Sequence, residues 1–190
     1  MDDNSIDLQR RSLLVSAAGV AVGLALNVSA QTSTTAEAEE EAQGKPGDFD
    51  FLAGNWKISH RQLKGKEWDE YKGEATCWTV LGGVASIEEL RIPARNFSGM
   101  GVRVLDVEKR VWSDFWVNAR SGVLGCPGLT GVFKKGVGTF TAEEMDNGQP
   151  ILARGVWDRI TPTSCRWHQA VSRDGGKTWE PNWFMDWQKV

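Results

Sequence analysis

Two adjacent glutamates interrupt an otherwise apolar stretch, Ser86-Ile87-Glu88-Glu89-Leu90-Arg91-Ile92. Neighbouring residues of a strand point to opposite sides, so one carboxylate faces inward and the other faces solvent. An inward carboxylate must be paired or protonated. Arg103, in Gly101-Val102-Arg103-Val104-Leu105, is one candidate partner and Arg120 is another. A Glu–Arg pair facing a cavity can grip a ligand carboxylate or carbonyl and offer an acid for proton transfer. The plainer alternative is a structural ion pair tying two strands together.

A second constellation lies in Trp112-Ser113-Asp114-Phe115-Trp116-Val117-Asn118-Ala119-Arg120. An unbulged strand puts Trp112, Asp114, Trp116, Asn118 and Arg120 on one face. That face can line a pocket for a planar molecule, or pack indoles across neighbouring strands outside. In Arg166-Trp167-His168-Gln169-Ala170-Val171, residues Trp167, Gln169 and Val171 share one side, which we expect to be the inner one. His60 and His168 are the two histidines, and each is a candidate haem ligand, general base or ordinary strand residue. Neither has the further soft ligands in sequence that zinc requires. No Gly-x-Ser-x-Gly elbow, phosphate loop, His-x-x-x-His or Cys-x-x-Cys is present. The sequence therefore offers no metal site and names no cofactor. The three cysteines, Cys77, Cys126 and Cys165, read as small buried hydrophobes, although an oxidising compartment permits one disulfide.

These residues sit in short alternating segments separated by turn chemistry. The clearest turns are Leu81-Gly82-Gly83, Asn147-Gly148 and Asp174-Gly175-Gly176. About ten strands recur, Phe49 to Ala53 makes a short helix or turn, and no long helical pattern intervenes. That is the layout of an antiparallel up-and-down barrel or a sandwich. Ten tryptophans against one tyrosine supply flat apolar faces for a core or a cavity. A net charge of -3 gives no electrostatic case for nucleic acid or an anionic membrane.

Ahead of the strands, Gln9-Arg10-Arg11-Ser12-Leu13-Leu14 opens a weakly apolar run closed by Val28-Ser29-Ala30. Residues 1–30 thus read as a twin-arginine signal peptide, too short and too rich in small residues for a stable membrane span. Residues 31–47 read as a disordered acidic tether, and residues 48–190 as the folded domain. The expected location is periplasmic or extracellular. Proteins that take this route are exported folded, some with a cofactor already inserted.

The stretch Asp48-Phe49-Asp50-Phe51-Leu52-Ala53-Gly54-Asn55-Trp56 resembles the opening of lipocalin-like, calycin-type barrels. The domain as a whole is similar to a family of exported bacterial lipocalin-like domains of unassigned function. Leu81-Gly82-Gly83, Glu88-Glu89-Leu90-Arg91-Ile92-Pro93, Val111-Trp112-Ser113-Asp114-Phe115-Trp116 and Arg166-Trp167-His168-Gln169-Ala170 carry that similarity. The resemblance implies an all-β, antiparallel, up-and-down lipocalin-like barrel of about ten strands, with Glu89 as the inward carboxylate. Ser172-Arg173-Asp174-Gly175-Gly176-Lys177-Thr178-Trp179 also resembles a single Asp-box, which we read as a structural hairpin.

The expected function is binding of a small, largely apolar or aromatic molecule in the barrel lumen. Arg103, Trp112, Trp116, Asn118, Arg120, Trp167 and Gln169 are the candidate contacts. One alternative is proton-transfer catalysis (an isomerase, cyclase or lyase) with Glu89 as acid or base. Another is a haem-binding barrel, and a third is a filled core serving another protein. Pairing of two copies through exposed indoles is a further expectation.

Overall fold

The computed structural model describes residues 42–190; the expected signal segment and the first part of the tether lie outside the described residues. Ten strands follow one another: β1 (Gly54–Lys64), β2 (Glu67–Val80), β3 (Ala85–Ile92), β4 (Phe97–Asp106), β5 (Val111–Asn118), β6 (Leu129–Lys134), β7 (Val137–Asp146), β8 (Gln149–Asp158), β9 (Ser164–Ser172) and β10 (Glu180–Lys189). Every neighbour in sequence is an antiparallel neighbour in space. β10 returns to pair with β1, closing the barrel. The all-β, up-and-down expectation is met.

Tight turns make this order cheap to form. Asn147-Gly148 and Lys135-Gly136 carry positive φ at both central positions, the backbone that matches the twist of the strands they join. β1 and β2 run past the alternating segments visible in sequence, meeting at Gly65-Lys66. Only the outer part of this long hairpin, from Lys64 to Trp68, is exposed on both sides; further in, Arg95 Nη2 donates to Asp69 and its guanidinium covers the Tyr71 ring. Arg61 lies against the rings of Trp68 and Phe184, with its Cζ 4.7 and 4.8 Å from their centroids.

One end of the barrel is plugged. Phe49 and Leu52, on and beside a 3-10 turn at Asp50–Leu52, are fully buried under the strands. Phe49 meets Trp112 edge-on at 4.9 Å and Phe133 at 5.0 Å. The indole N–H of Trp56 donates to Leu52 O at 2.6 Å, and that of Trp112 to Asp48 Oδ2 at 3.1 Å. Indoles buried this deep need such partners.

Contacts to the barrel begin ahead of Asp48. Gly44 N donates to Arg110 O at 2.7 Å and Gly47 N to Gly83 O at 3.0 Å. Gly83 has a φ of +89°, and a Cβ there would lie 2.7 Å from Gly47 N. The Leu81-Gly82-Gly83 turn thus supplies a seat for this N-terminal strap. Composition alone hid the strap, because backbone groups and small residues make its contacts.

Candidate functional site

On β1, β5, β9 and β10 inward-facing residues grade from buried at the plugged end to half-buried at the open end, whereas on β3 and β8 they stay buried throughout, with Leu90, Ile92, Ala153 and Ile151 closing that side. Along β1 and β10, Trp56, Ile58, His60, Met185 and Trp187 are buried, while Gln62 and Trp183 are half-buried. Along β5 and β9, Trp112 and Cys165 are buried, whereas Trp116, Asn118, Trp167 and Gln169 are half-buried. The lumen is therefore a packed aromatic floor beneath a cup that solvent reaches.

At the boundary sits an ionic cluster. Glu88 on β3 faces inward and is 2% exposed. Its Oε2 accepts from Arg103 Nη2 at 2.5 Å. Arg103 Nε also lies 3.5 Å from Asp114 Oδ1 on β5. The guanidinium rests 5.1 Å from the Trp157 ring centroid and 5.3 Å from that of Phe49. Burial pulls against the charge on Arg103, but Asp114 and Glu88 outweigh it and raise its pKa above the ordinary arginine value. Gly101 opposite leaves the space: a Cβ there would lie 3.1 Å from Arg103 Nη2.

The expectation that Glu89 is the inward carboxylate is overturned. Glu89 points outward, its side chain is 52% exposed, and Arg91 Nη1 donates to it at 2.8 Å. Leu90 and Ile92 share the parity of Glu88 and are buried, which fixes the inner face. The signal was available in sequence. Glu89 and Arg91 form a charged i, i+2 pair on one face, while Leu90 and Ile92 mark the other.

Two further expectations need correction. Trp112 is on the predicted face but fully buried in the floor, so it presents no surface to a ligand. Arg120 does not continue that face, because β5 ends at Asn118. Asn118 Oδ1 instead accepts from Arg120 N at 2.9 Å, turning the chain. The Arg120 side chain is exposed and donates to Arg95 O at 3.3 Å. Arg103, Trp116, Asn118, Trp167 and Gln169 do face the lumen.

The aromatic walls of the cup use glycines as recesses. Trp116 packs its benzo edge against Gly99, where a Cβ would fall 2.2 Å from Cζ2. Trp167 lies against Gly155, where a Cβ would be 3.2 Å from Nε1. Trp167 and Trp183 meet edge-to-face at 5.5 Å. A register shift between Pro181 and Trp183 places Asn182 beside Gln169, whose Nε2 donates to Asn182 Oδ1 at 3.1 Å. Trp183, Asn182 and Tyr71 belong to this site although the sequence patterns did not single them out as contacts.

His60 is stacked on Tyr71 at 4.5 Å and accepts from Trp183 Nε1 through Nδ1 at 3.3 Å. The proton of the neutral ring therefore sits on Nε2. Burial, with Arg95 adding to it, lowers the His60 pKa to about 4. Nε2 abuts Gly73, where a Cβ would be 2.5 Å away. That nitrogen has no room for a macrocycle, so His60 does not fit a haem ligand. His168 faces outward, 3.7 Å from Asp158, and lies outside the lumen. Among the described residues no group of three or more His, Cys, Asp or Glu is arranged to hold a metal ion. All three cysteines are free thiols, with Cys77 and Cys165 buried. Burial pushes the Cys165 pKa up to about 12 and raises that of Cys77 too, so neither is a ready nucleophile.

The Asp-box segment is a braced hairpin on the rim. Asp174 accepts from the backbone of Lys177 and Thr178 and from the Thr178 hydroxyl. Arg154 Cζ lies 4.0 Å from the Trp179 ring centroid beneath it.

Fold and lumen together define a closed ten-stranded antiparallel barrel with an aromatic cup at one end. No family model matches the chain, and no curated protein matches it. A protein of unknown function from the DUF3598 family of Nostoc punctiforme is similar in structure, with 11% identity and a TM-score of 0.43. The match covers 79% of this chain and 50% of that protein, so this chain spans half of its length.

Proposed function

We propose that the cup binds one small, flat, largely apolar molecule, uncharged and carrying a hydrogen-bond acceptor, outside the cytoplasm. The observation that carries this reading is the burial gradient. Trp116, Trp167 and Trp183 face inward, yet they stay accessible above a sealed floor. Exposed indole surface inside a barrel is the lining of a ligand site.

Charge and hydrogen bonding refine the ligand class. Two carboxylates, Glu88 and Asp114, bracket one guanidinium, and His60 is neutral near pH 7. The interior is therefore unfavourable for an anion, against the idea that Arg103 grips a carboxylate. Above the floor, the half-buried amides of Gln169 and Asn182 share one hydrogen bond, Gln169 Nε2 to Asn182 Oδ1, and carry further N–H donors that a ligand oxygen can take. An oxygen-bearing neutral molecule answers both features. Proton-transfer chemistry through Glu89 has no support, since that carboxylate faces solvent. The apolar N-terminal run with its paired arginines supports export.

The test has two arms. Native mass spectrometry of the protein recovered from the exported fraction should show a reproducible bound mass. Titration with Nile red, a neutral flat ketone, should saturate at one site and outcompete the anionic 1-anilinonaphthalene-8-sulfonate. Trp116→Ala and Trp167→Ala should each weaken Nile red by roughly 5- to 100-fold, while Glu89→Gln and Met100→Lys, both on the outer surface, should not. A bare mass with no saturable probe binding refutes the reading.

A further inference from the structure

The outer surface of this barrel is of two kinds. Over β9, β10, β1 and the upper part of β2 it is charged: Lys57, Arg61, Lys72, Arg166 and Asp186 all point outward. Across the lower part of β2 and β3 to β5 the polarity inverts. There Trp78, Ile87, Val102 and Phe115 stand in one row of the register. Met100 and Val117 continue the row above, and Val104 lies in the row below. Trp78 is 46% exposed, and Met100 and Val104 are each 38% exposed. β4 shows the inversion most clearly, with Arg103 inside and Met100, Val102 and Val104 outside.

We infer that this face is the contact between two copies of the chain, stacked sheet on sheet about a two-fold axis. Extent is the first argument. Three rows of side chains on four strands span about 19 by 20 Å, or about 400 Å² in footprint. Leu124, bridged to Val117 and 46% exposed, extends the face at the β5 edge. With that flank the accessible area is about 600 Å² per copy, so a pair buries about 1,200 Å², the lower bound of a specific interface.

The second argument is charge. Glu89 is the single charged residue within the grid and is already neutralised by Arg91. A self-complementary apolar face needs no opposite charge on its partner, which suits a two-fold contact. Two such faces stack about 10 Å apart with strands near 30°. A membrane-spanning barrel would instead carry its apolar band all the way round, and the charged outer surface of β9, β10 and β1 does not.

Analytical ultracentrifugation of the full chain tests this directly. We expect a reversible dimer with a dissociation constant in about the micromolar range. Met100→Lys and Trp78→Lys should each weaken it on the order of 100-fold, because every dimer buries the new ammonium twice. Met145→Lys, equally apolar and 64% exposed but on β7, should leave it unchanged. Far-UV circular dichroism confirms that each variant is folded, and Val104→Lys replaces any that is not. A monomer at about 100 μM, or a dimer indifferent to these lysines, overturns the inference. So does a monomer whose apolar face sediments with phosphatidylcholine vesicles and is released by Met100→Lys.

Discussion

Lowering the pH from 7 to 4.5 should cost this protein about 2.5 kcal/mol through His60 alone. The ring has a pKa of about 4 in the folded protein, against 6.5 as the ordinary value. Between those two values the unfolded chain takes up a proton that the folded chain refuses. Stability is therefore full above pH 6.5 and falls by about 1.4 kcal/mol per pH unit until the folded ring begins to titrate near 4. The cause is geometric: Trp183 holds Nδ1, Tyr71 covers one face, and Nε2 lies against Gly73. His60→Gln supplies a neutral side chain that can still accept from Trp183. Urea unfolding of both proteins at the two pH values isolates the effect. His168, also held low by burial, is common to both and cancels. The native protein should lose about 2 to 3 kcal/mol more than the variant on acidification. Equal losses would refute the reasoning, as would a His60 pKa above 6 from its ring proton shifts.

Two other outcomes follow from the lumen. Arg103→Met leaves the Glu88 carboxylate without its guanidinium in a buried site and should cost about 3–5 kcal/mol in urea unfolding. Adding Glu88→Met should recover part of that loss. A thiol reagent should titrate Cys126 alone in the native protein, and all three cysteines once it is unfolded in urea.

The barrel was legible because its turns and alternation are local. Asn147-Gly148 sets a hairpin, and Trp56, Ile58 and His60 alternate with Lys57 and Arg61 along β1. Periodicity assigns a side chain to a face but says nothing of depth. Trp112 and Trp116 share a face, yet one is sealed in the floor and the other lines the cup, because the strap at Gly44 to Leu52 covers only one end. Parity was decided wrongly at Glu88 and Glu89, where a resemblance outweighed the buried Leu90 and Ile92 beside them. Arg120 was extrapolated along a strand that Asn118 ends by capping the next turn. Along β4 the rule that apolar means inside holds only in part: Met100, Val102 and Val104 point outward beside the buried Arg103, while Leu105 is in the core.

The pairing of β1 with β10 has a consequence for how the chain comes to be folded. Trp56 opposes Lys189, and Val190 N donates to Asn55 O at 2.9 Å, so the first strand waits for the tenth to complete its pairing. During translation every intermediate that lacks β10 is an unclosed sheet with two bare edges, and the seam forms only once β10 has emerged from the ribosome. Such a ring has no privileged starting point. Joining its ends by a short linker and reopening it at Asn147-Gly148 preserves every strand neighbour while making the old seam an ordinary hairpin. That permuted chain should fold to the same barrel at a similar rate, because the β7–β8 pairing takes over as the long-range seam.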